Sequence, residues 1–369
     1  MAYVAVKGGM AAILAAERLV KSGLAPEGVS PLEIEQILTQ QRPLVDQVMG
    51  EGGLYAPELA ALAVRQAEGD PMEAAFLLRA YRSTLSRIGY TLPADPMCMD
   101  VRRRISPAFK DVPGGQVLGR TRDYTQHLLD FSLLHTPGGD AAGSDVEPAN
   151  AAAIAEPPAF PRVSTWLRET GVLPPVDPEA AAEEPFDITR DALAHPFPRS
   201  ARLQALARGE TGAMVAFAYT TMRDGWSHDI PAELRVGDVP FHIVHPLTGN
   251  NVRAGSVTMT EVEMVVEPSG STHGEAGSLS LAYGLVFGQN ERKAIAMSIL
   301  DGALSQESDR LAVNDPEFVL YHIDGIESQG FVEHLKLPHH VTFQASLDRL
   351  RYLQQLYATQ PEDSDAHDR

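Results

Sequence analysis

The sequence contains very little cysteine and no long apolar run. Among its 369 residues Cys98 is the single cysteine, so the chain alone forms no internal disulfide and holds no cysteine-ligated cluster. No stretch approaches the roughly 18 uninterrupted apolar residues that a membrane span needs. Residues 1–9 also lack the charged start and apolar run of a signal peptide. We therefore expect a cytoplasmic protein without a membrane segment.

Positive charge is scarce as well. The chain carries 30 Lys and Arg against 49 Asp and Glu, a formal net charge of −19. Such a balance argues against binding nucleic acid through bulk electrostatics, although a local phosphate pocket needs only a few cations. With 44% hydrophobic residues the chain can build cores, and its length favours two domains.

The pattern of residues 1–135 predicts a mainly helical N-terminal domain. Apolar spacing indicates a helix over residues 10–21 and another over residues 123–134. Two start signals with proline at the first helical position lie between them: Ser30-Pro31-Leu32-Glu33 and Asp70-Pro71-Met72-Glu73.

The remainder of the chain has three differently composed parts. Residues 136–198 are rich in Ala, Pro and Gly and predict a flexible linker in which Trp166 marks a short docked helix. Residues 199–357 predict an α+β domain with a mixed, largely antiparallel sheet and flanking helices, and residues 358–369 a disordered acidic tail. Strand patterns cover residues 232–236, 241–245, 255–266, 279–287 and 317–322. The fold class expected for the whole chain is therefore α+β.

Histidines are concentrated near the C-terminus in His334-Leu335-Lys336-Leu337-Pro338-His339-His340. Helical patterns occupy residues 326–333 and 341–357 on either side, and Pro338 cannot continue a helix. His334 and His339 therefore flank a corner that can aim two imidazoles at one divalent metal such as zinc. The alternative is a polar turn that happens to contain histidines.

Five cations surround a glycine turn between Arg102 and Arg120. Arg102-Arg103-Arg104, Lys110 and Arg120 flank Pro113-Gly114-Gly115, so this segment is a candidate phosphate cradle. A solvated basic face, or a surface for an acidic partner, explains the same residues.

Two carboxylates, Glu261 and Glu263, are spaced to share one face of a predicted strand. Paired carboxylates can stabilise an oxocarbenium-like state or act as acid and base. Alternating charge is equally typical of a strand with one face in water, which we favour unless that face meets the histidine corner.

Several longer motifs together are similar to the PhnI family, a core subunit of the bacterial carbon–phosphorus lyase system. They are VAVKGG (residues 4–9), EGG (51–53), FLLRAYR (76–82), KDVPGGQ (110–116), MTEVEM (259–264), YGLVFG (283–288), ERKA (291–294) and GFVEHLKLPH (330–339). The resemblance spans nearly the whole chain apart from the linker and the tail.

The resemblance implies a subunit that assembles with G, H and J partners and replaces the purine of ATP or GTP by a phosphonate. Alone, such a subunit resembles a nucleosidase. The family's metal-binding pair falls on His334 and His339. The chain departs from the family at Gln126, which puts a role for His127 in doubt, and at His340, a third local imidazole.

These observations combine into one hypothesis and one alternative. His334 and His339 would hold a divalent metal, with zinc expected, and Glu261 and Glu263 would contact the ribose or the metal shell. Arg104, Lys110 and Lys336 would contact phosphates. In the alternative, the chain is a non-catalytic scaffold whose metal site is shared at a partner interface.

Overall fold

The computed structural model shows two compact units, Ile34–Asp324 and the combination of Met1–Glu33 with Gly325–Arg369. It describes residues 9–24, 28–134, 160–176, 184–224, 230–266, 279–306 and 311–358. The predicted α+β class is confirmed, because helices accompany an antiparallel sheet of four strands.

The helices and strands of the two units are as follows. The larger unit contains α2 (Ile34–Gln40), α3 (Arg42–Gly52), α4 (Pro57–Gln66), α5 (Pro71–Thr84), β1 (Asp100–Ile105), α6 (Val163–Glu169), α7 (Arg199–Arg208), α8 (Thr211–Asp224), β2 (Ile230–Val244), β3 (Asn251–Val266), β4 (Ser280–Phe287), α9 (Glu291–Leu304) and α10 (Pro316–His322). The smaller unit contains α1 (Gly9–Gly23), α11 (Gly325–Glu333), a 3₁₀ turn (His334–Lys336) and α12 (His340–Ala358).

Helices α2 to α5 pack around a small apolar core. The Asp70 side chain accepts hydrogen bonds from the backbone N–H groups of Met72 and Glu73 at the start of α5, which confirms that start signal. The helix start predicted at Pro31 is wrong, because α2 begins at Ile34 and Leu32 remains exposed. The core residues are Ile37, Val45, Val48, Met49, Ala60, Ala61, Ala63, Val64, Ala74 and Leu78.

The sheet has the order β1-β2-β3-β4 with every neighbouring pair antiparallel. The predicted antiparallel pairing is thus confirmed. Two predicted strand segments, residues 232–236 and 241–245, belong to the single long strand β2. The edge strand β1 was not predicted as a strand, since its sequence Asp-Val-Arg-Arg-Arg-Ile looks like a basic surface segment.

The two faces of this sheet have opposite chemistry. One face is apolar and packs against α7 and α9, with Leu234, Val262 and Met264 in a core that also includes Leu300. Gly284 allows the close approach of α9, since a Cβ there would stand 2.1 Å from the Ala294 carbonyl oxygen. The other face carries charged residues that are nevertheless buried.

Two predicted elements are wrong. Residues 317–322 form helix α10 instead of a strand, because Asp315 caps it through the N–H groups of Glu317 and Phe318 and Pro316 occupies its first position. Of the helix predicted over residues 123–134, only the 3₁₀ turn Phe131–Leu134 forms. His127 adopts a left-handed φ of 53°, which interrupts a right-handed helix.

Part of the segment predicted as a linker packs on the sheet. The short helix expected around Trp166 is confirmed as α6, and its Val163 and Leu167 are buried against Ala232 of β2. Residues 135–159, where the linker is richest in alanine, lie outside the described residues, as do the predicted acidic tail and the N-terminal eight residues.

The smaller unit has almost no buried surface of its own. The predicted helices over residues 10–21, 326–333 and 341–357 are confirmed as α1, α11 and α12. Apart from Gly9, none of the residues in these three helices is buried. Within the described residues, no helix is long and apolar enough to cross a membrane.

Candidate functional site

The histidine corner lies between α11 and α12 in the smaller unit. The chain leaves α11 through the 3₁₀ turn His334–Lys336, and Leu337 is extended with ψ of 163°. Pro338 favours that extended conformation in the residue before it and cannot itself continue a helix. The predicted helix–proline–helix arrangement is therefore confirmed.

The corner brings the imidazoles of His334 and His339 together. Their ring centroids are 5.3 Å apart with an interplanar angle of 59°. The Nδ1 atom of His334 is hydrogen-bonded to the Phe331 carbonyl, and that of His339 to the Leu337 carbonyl at 2.7 Å. A carbonyl oxygen can only accept, so both Nδ1 atoms carry the proton. In the neutral rings both Nε2 atoms then keep a lone pair for a metal ion.

His334 and His339 supply two of the roughly four ligands that a zinc site requires. Backbone carbonyls that orient histidine ligands are the usual outer support of bound zinc. No group of three or more His, Cys, Asp or Glu suited to a metal occurs in the described part of the chain. A site built on His334 and His339 therefore needs further ligands from substrate, water or another chain.

The other polar groups of the corner are exposed. Lys336 forms an ion pair with Glu333 at 3.0 Å, and this hydrogen bond lowers the pKa of the Glu333 carboxyl. His340, the first residue of α12, is also exposed. The His340 ring does not take part in the contact between His334 and His339. His340 is therefore a suitable control for substitutions of those two histidines.

Glu261 and Glu263 lie on the buried charged face of the sheet, so the interpretation as a face in water is wrong. Both are at most 2% exposed. Arg162, just before α6, reaches both carboxylates, with Nη1 2.8 Å from Glu263. Arg235 of β2 also pairs with Glu261, and the Tyr283 hydroxyl donates to it at 2.6 Å.

Burial changes the ionisation of this face. The pKa of Glu263 is raised, chiefly because burial penalises its charged form, although Arg162 opposes the shift. The pKa of Tyr283 is raised by burial and by the neighbouring Glu261 carboxylate. Three carboxylates and three guanidiniums face one another here, so the network balances its own charge: Glu233, Glu261, Glu263, Arg104, Arg162 and Arg235.

The basic run on β1 is engaged within the protein. Arg104 donates through Nε to Glu233 at 2.5 Å, and its two Nη atoms donate at 2.7 Å to the carbonyls of Pro113, Gly115 and Pro161. Arg103 pairs with Asp123 and Glu291, and Arg102 with Asp238. The interpretation of this run as a solvated face is wrong for Arg103 and Arg104, which are buried.

The predicted site residues thus form two separate groups. His334, Lys336 and His339 share the corner in the smaller unit, whereas Glu261, Glu263 and Arg104 share one sheet face in the larger unit. Lys110 lies on the loop after β1 with its side chain exposed. Arg104 donates to four acceptors within the protein, so its position is explained without a bound phosphate.

Sequence reasoning missed two sets of buried or half-buried cations. Lys293, in the first turn of α9, is fully buried, and burial lowers its pKa to about 8. Its Nζ has no hydrogen-bond partner among the described residues. Arg82 and Arg208 meet near Gly53. No local pattern in the sequence reveals the burial of Lys293, and only the tertiary structure brings Arg82 to Arg208.

Comparison with known proteins gives consistent matches over the chain. Residues 2–357 match a family described as PhnI, bacterial phosphonate metabolism protein. A candidate C–P lyase subunit protein, HtxH, of Stutzerimonas stutzeri is 47% identical, covering 98% of both chains. Two proteins named alpha-D-ribose 1-methylphosphonate 5-triphosphate synthase subunit PhnI are each 45% identical. That of Rhizobium meliloti covers 95% of this chain and 94% of its own, and that of Escherichia coli 96% and 98%.

Proposed function

Because the chain belongs to the PhnI family of bacterial phosphonate metabolism proteins, we propose that it is a subunit of a carbon–phosphorus lyase core. In that core it replaces the purine of ATP or GTP by methylphosphonate at ribose C1. The names of two relatives, each 45% identical over nearly their whole length, support this assignment. Without its partners the chain is proposed to act as a nucleosidase, with water replacing the phosphonate.

The observation that carries the proposal is the pair of oriented imidazoles. The ring centroids of His334 and His339 lie 5.3 Å apart, and both Nδ1 atoms are hydrogen-bonded to backbone carbonyls, which leaves the Nε2 lone pairs for a metal. We assign these two residues to a divalent metal, most simply zinc. Such an ion, when bound, supplies Lewis acidity for phosphonate or sugar oxygens and leaves open coordination positions.

The residues of the corner themselves have defined tasks in this proposal. The carbonyls of Phe331 and Leu337 hold the two rings in one tautomer, so the site needs little reorganisation. Lys336 lies on the same turn and is exposed apart from its pair with Glu333, so its ammonium can turn to a phosphate oxygen. Glu261 and Glu263, each held by Arg162, are not required as acid or base.

The exposed apolar helices support assembly with partner chains, which we assign to the G, H and J subunits. On α12, Phe343 and Tyr352 are 65% and 61% exposed, and on α11 Phe331 is 71% exposed. A monomer rarely leaves such a run of large apolar side chains in water. Packing against other subunits would remove these apolar side chains from water.

A scaffold function is the second candidate, and one observation favours it. The corner supplies two ligands, and among the described residues no third one joins them. A metal shared with a partner chain would hold two subunits together without taking part in the reaction. In that case the metal would be needed for assembly, while base release would depend on residues elsewhere.

The test uses the chain co-expressed with its partner subunits. Purine release from ATP and formation of the ribose phosphonate are measured by chromatography, and metal content by elemental analysis. We expect His334→Ala and His339→Ala each to lose the metal and at least about a hundredfold in turnover. His340→Ala, the matched histidine control, should keep both.

The result separates the two candidates. Assembly of the variants is followed by size-exclusion chromatography. Loss of turnover in an intact complex supports the catalytic site, whereas loss of assembly together with metal supports the scaffold. A double alanine variant that keeps its metal and its turnover would rule out the histidine corner in both forms.

A further inference from the structure

Two arginine side chains converge over the C-terminal end of α3. Gly53, the residue that follows α3, has a left-handed φ of 66°. A Cβ at Gly53 would stand 2.3 Å from Nη1 of Arg82 and 3.2 Å from Nε of Arg208. Arg82 comes from the last turn of α5 and Arg208 from the last turn of α7. Three helix ends therefore bring two guanidinium groups to one point.

Neither guanidinium pairs with a carboxylate in the part of the chain that the structure describes. Within the described residues, Arg82 makes one hydrogen bond, to the Gly53 carbonyl at 3.2 Å, and Arg208 makes no side-chain hydrogen bond or ion pair. Both side chains are half-buried, and those of their nitrogens that make no hydrogen bond are not sealed from solvent. Their donors are therefore accessible to a ligand.

The surroundings of this pair are also positively charged. Burial, followed by the neighbouring arginines, lowers the pKa of Arg82 and lowers that of Arg208 to about 10. Arg79 and Arg87 are the other cations that act on the pair, and Asp187 is the carboxylate that acts on Arg208. In a chain with net charge −19, this local excess of cations is unusual.

The nearby carboxylates are already engaged by other groups. Asp324 is held by Arg79 at 2.9 Å. Asp187 accepts from Thr189 and lies 3.5 Å from Arg87. Glu51 accepts from the N–H and hydroxyl of Thr211. None of these three carboxylates pairs directly with Arg82 or Arg208.

Helix capping explains only part of the arrangement. Arg79 and Arg82 donate to the carbonyls of Glu51 and Gly53, as cations do at the negative end of a helix. Arg208 donates to no carbonyl of the described residues, yet it is held against its neighbours at a cost in desolvation and charge repulsion. Such a cost is typical of a binding site.

We propose that Arg82 and Arg208 bind the phosphate groups of a polyphosphate ligand. Guanidinium groups suit this role because each offers a planar fork of donors to phosphate oxygens and stays charged at neutral pH. The identification of the ligand as a nucleoside triphosphate rests on the proposed function. The anion site itself rests on the two half-buried guanidiniums, which pair with no carboxylate among the described residues.

The experiment measures binding of tripolyphosphate to the complete chain by isothermal titration calorimetry. Tripolyphosphate has no ribose or base, so its binding is independent of glycosyl transfer. We expect Arg208→Gln and Arg82→Gln each to weaken binding at least about tenfold. Arg351→Gln, which removes the same charge from an exposed site on α12, should bind like the unmodified chain.

Thermal unfolding separates a binding role from a structural one. Arg208→Gln relieves charge repulsion, so without ligand its Tm should be unchanged or higher, and tripolyphosphate should raise the Tm of the unmodified chain only. Equal affinity in all variants, or an Arg208→Gln chain with a lowered Tm and intact affinity, would overturn the proposal. Intact tripolyphosphate binding without purine release would leave the anion site standing while refuting the proposed function.

Discussion

The buried pair of Glu233 and Arg104 allows a quantitative test of the charged sheet face. Glu233 accepts from Arg104 Nε at 2.5 Å through one oxygen and from the Val163 N–H at 3.1 Å through the other. Replacing Glu233→Gln keeps the shape but removes the charge. The amide nitrogen of glutamine would also face one of two donors, either the guanidinium or the N–H group.

The expected loss is large because neither partner reaches water. Side-chain exposure is 1% for Arg104 and 2% for Glu233. Removing one partner of such a pair leaves an uncompensated buried charge and costs about 3–5 kcal/mol. The matched control is Asp348→Asn, whose pair with Arg351 is 62% and 63% exposed, and there the expected cost is about 0–1 kcal/mol.

Urea unfolding followed by tryptophan fluorescence measures the difference. Trp166 on α6 lies edge-on to Phe109 with ring centroids 5.3 Å apart, so it reports the undocking of α6 from the sheet. With a denaturant slope of about 3 kcal/mol per molar urea, the Glu233→Gln midpoint should fall by about 1 M or more. A midpoint no lower than that of Asp348→Asn would refute the account of this face as a paired buried network.

Three further predictions concern pH, assembly and the linker. The raised pKa of Glu263 means that its buried charge weakens the fold as pH rises above the reference value of about 4.3. The Tm of Glu263→Gln relative to the unmodified chain should therefore increase with pH from 4 to 7, and no pH trend would contradict this. Phe343→Ser on α12 should abolish co-purification with partner subunits while the Tm of the isolated chain hardly changes, whereas Gln354→Ser should do neither; unchanged co-purification of Phe343→Ser would exclude this face as an interface. Deleting residues 136–158 should leave base release unchanged, because their Ala-, Pro- and Gly-rich sequence offers little apolar surface to bury, and a loss of activity would show that the segment has a role.

Local signals in the sequence located most of the elements. Asp70 followed by Pro71 marked the start of α5, because capping and a fixed proline φ act within one helical turn. The same Asp-Pro signal occurs at Asp315 and Pro316, but the apolar residues that follow it also suit a strand, which explains the error over α10. Alternation located β3 and β4 because one face of each packs against the apolar core.

The burial of the charged residues could not be read from the sequence. Glu261 and Glu263 alternate with apolar residues as they would on a strand facing water. Their burial depends on Arg162, about a hundred positions earlier and in a segment whose composition predicts a linker. Arg104 likewise finds Glu233 only after β1 pairs with β2. Pairings between distant residues leave no local pattern.

The two-histidine corner, where we propose a metal, and the exposed helices beside it have one common explanation. The corner offers two imidazoles on a turn, and the adjoining helices α11 and α12 have no buried residue. Helices gain most of their stability from packing an apolar face, so these need a surface that the described part of the chain does not supply. A partner chain that packs on α12 would also lie close to the histidine turn that precedes α12. The same contact could then stabilise the helices and complete the coordination of His334 and His339, which would make metal binding and assembly mutually dependent.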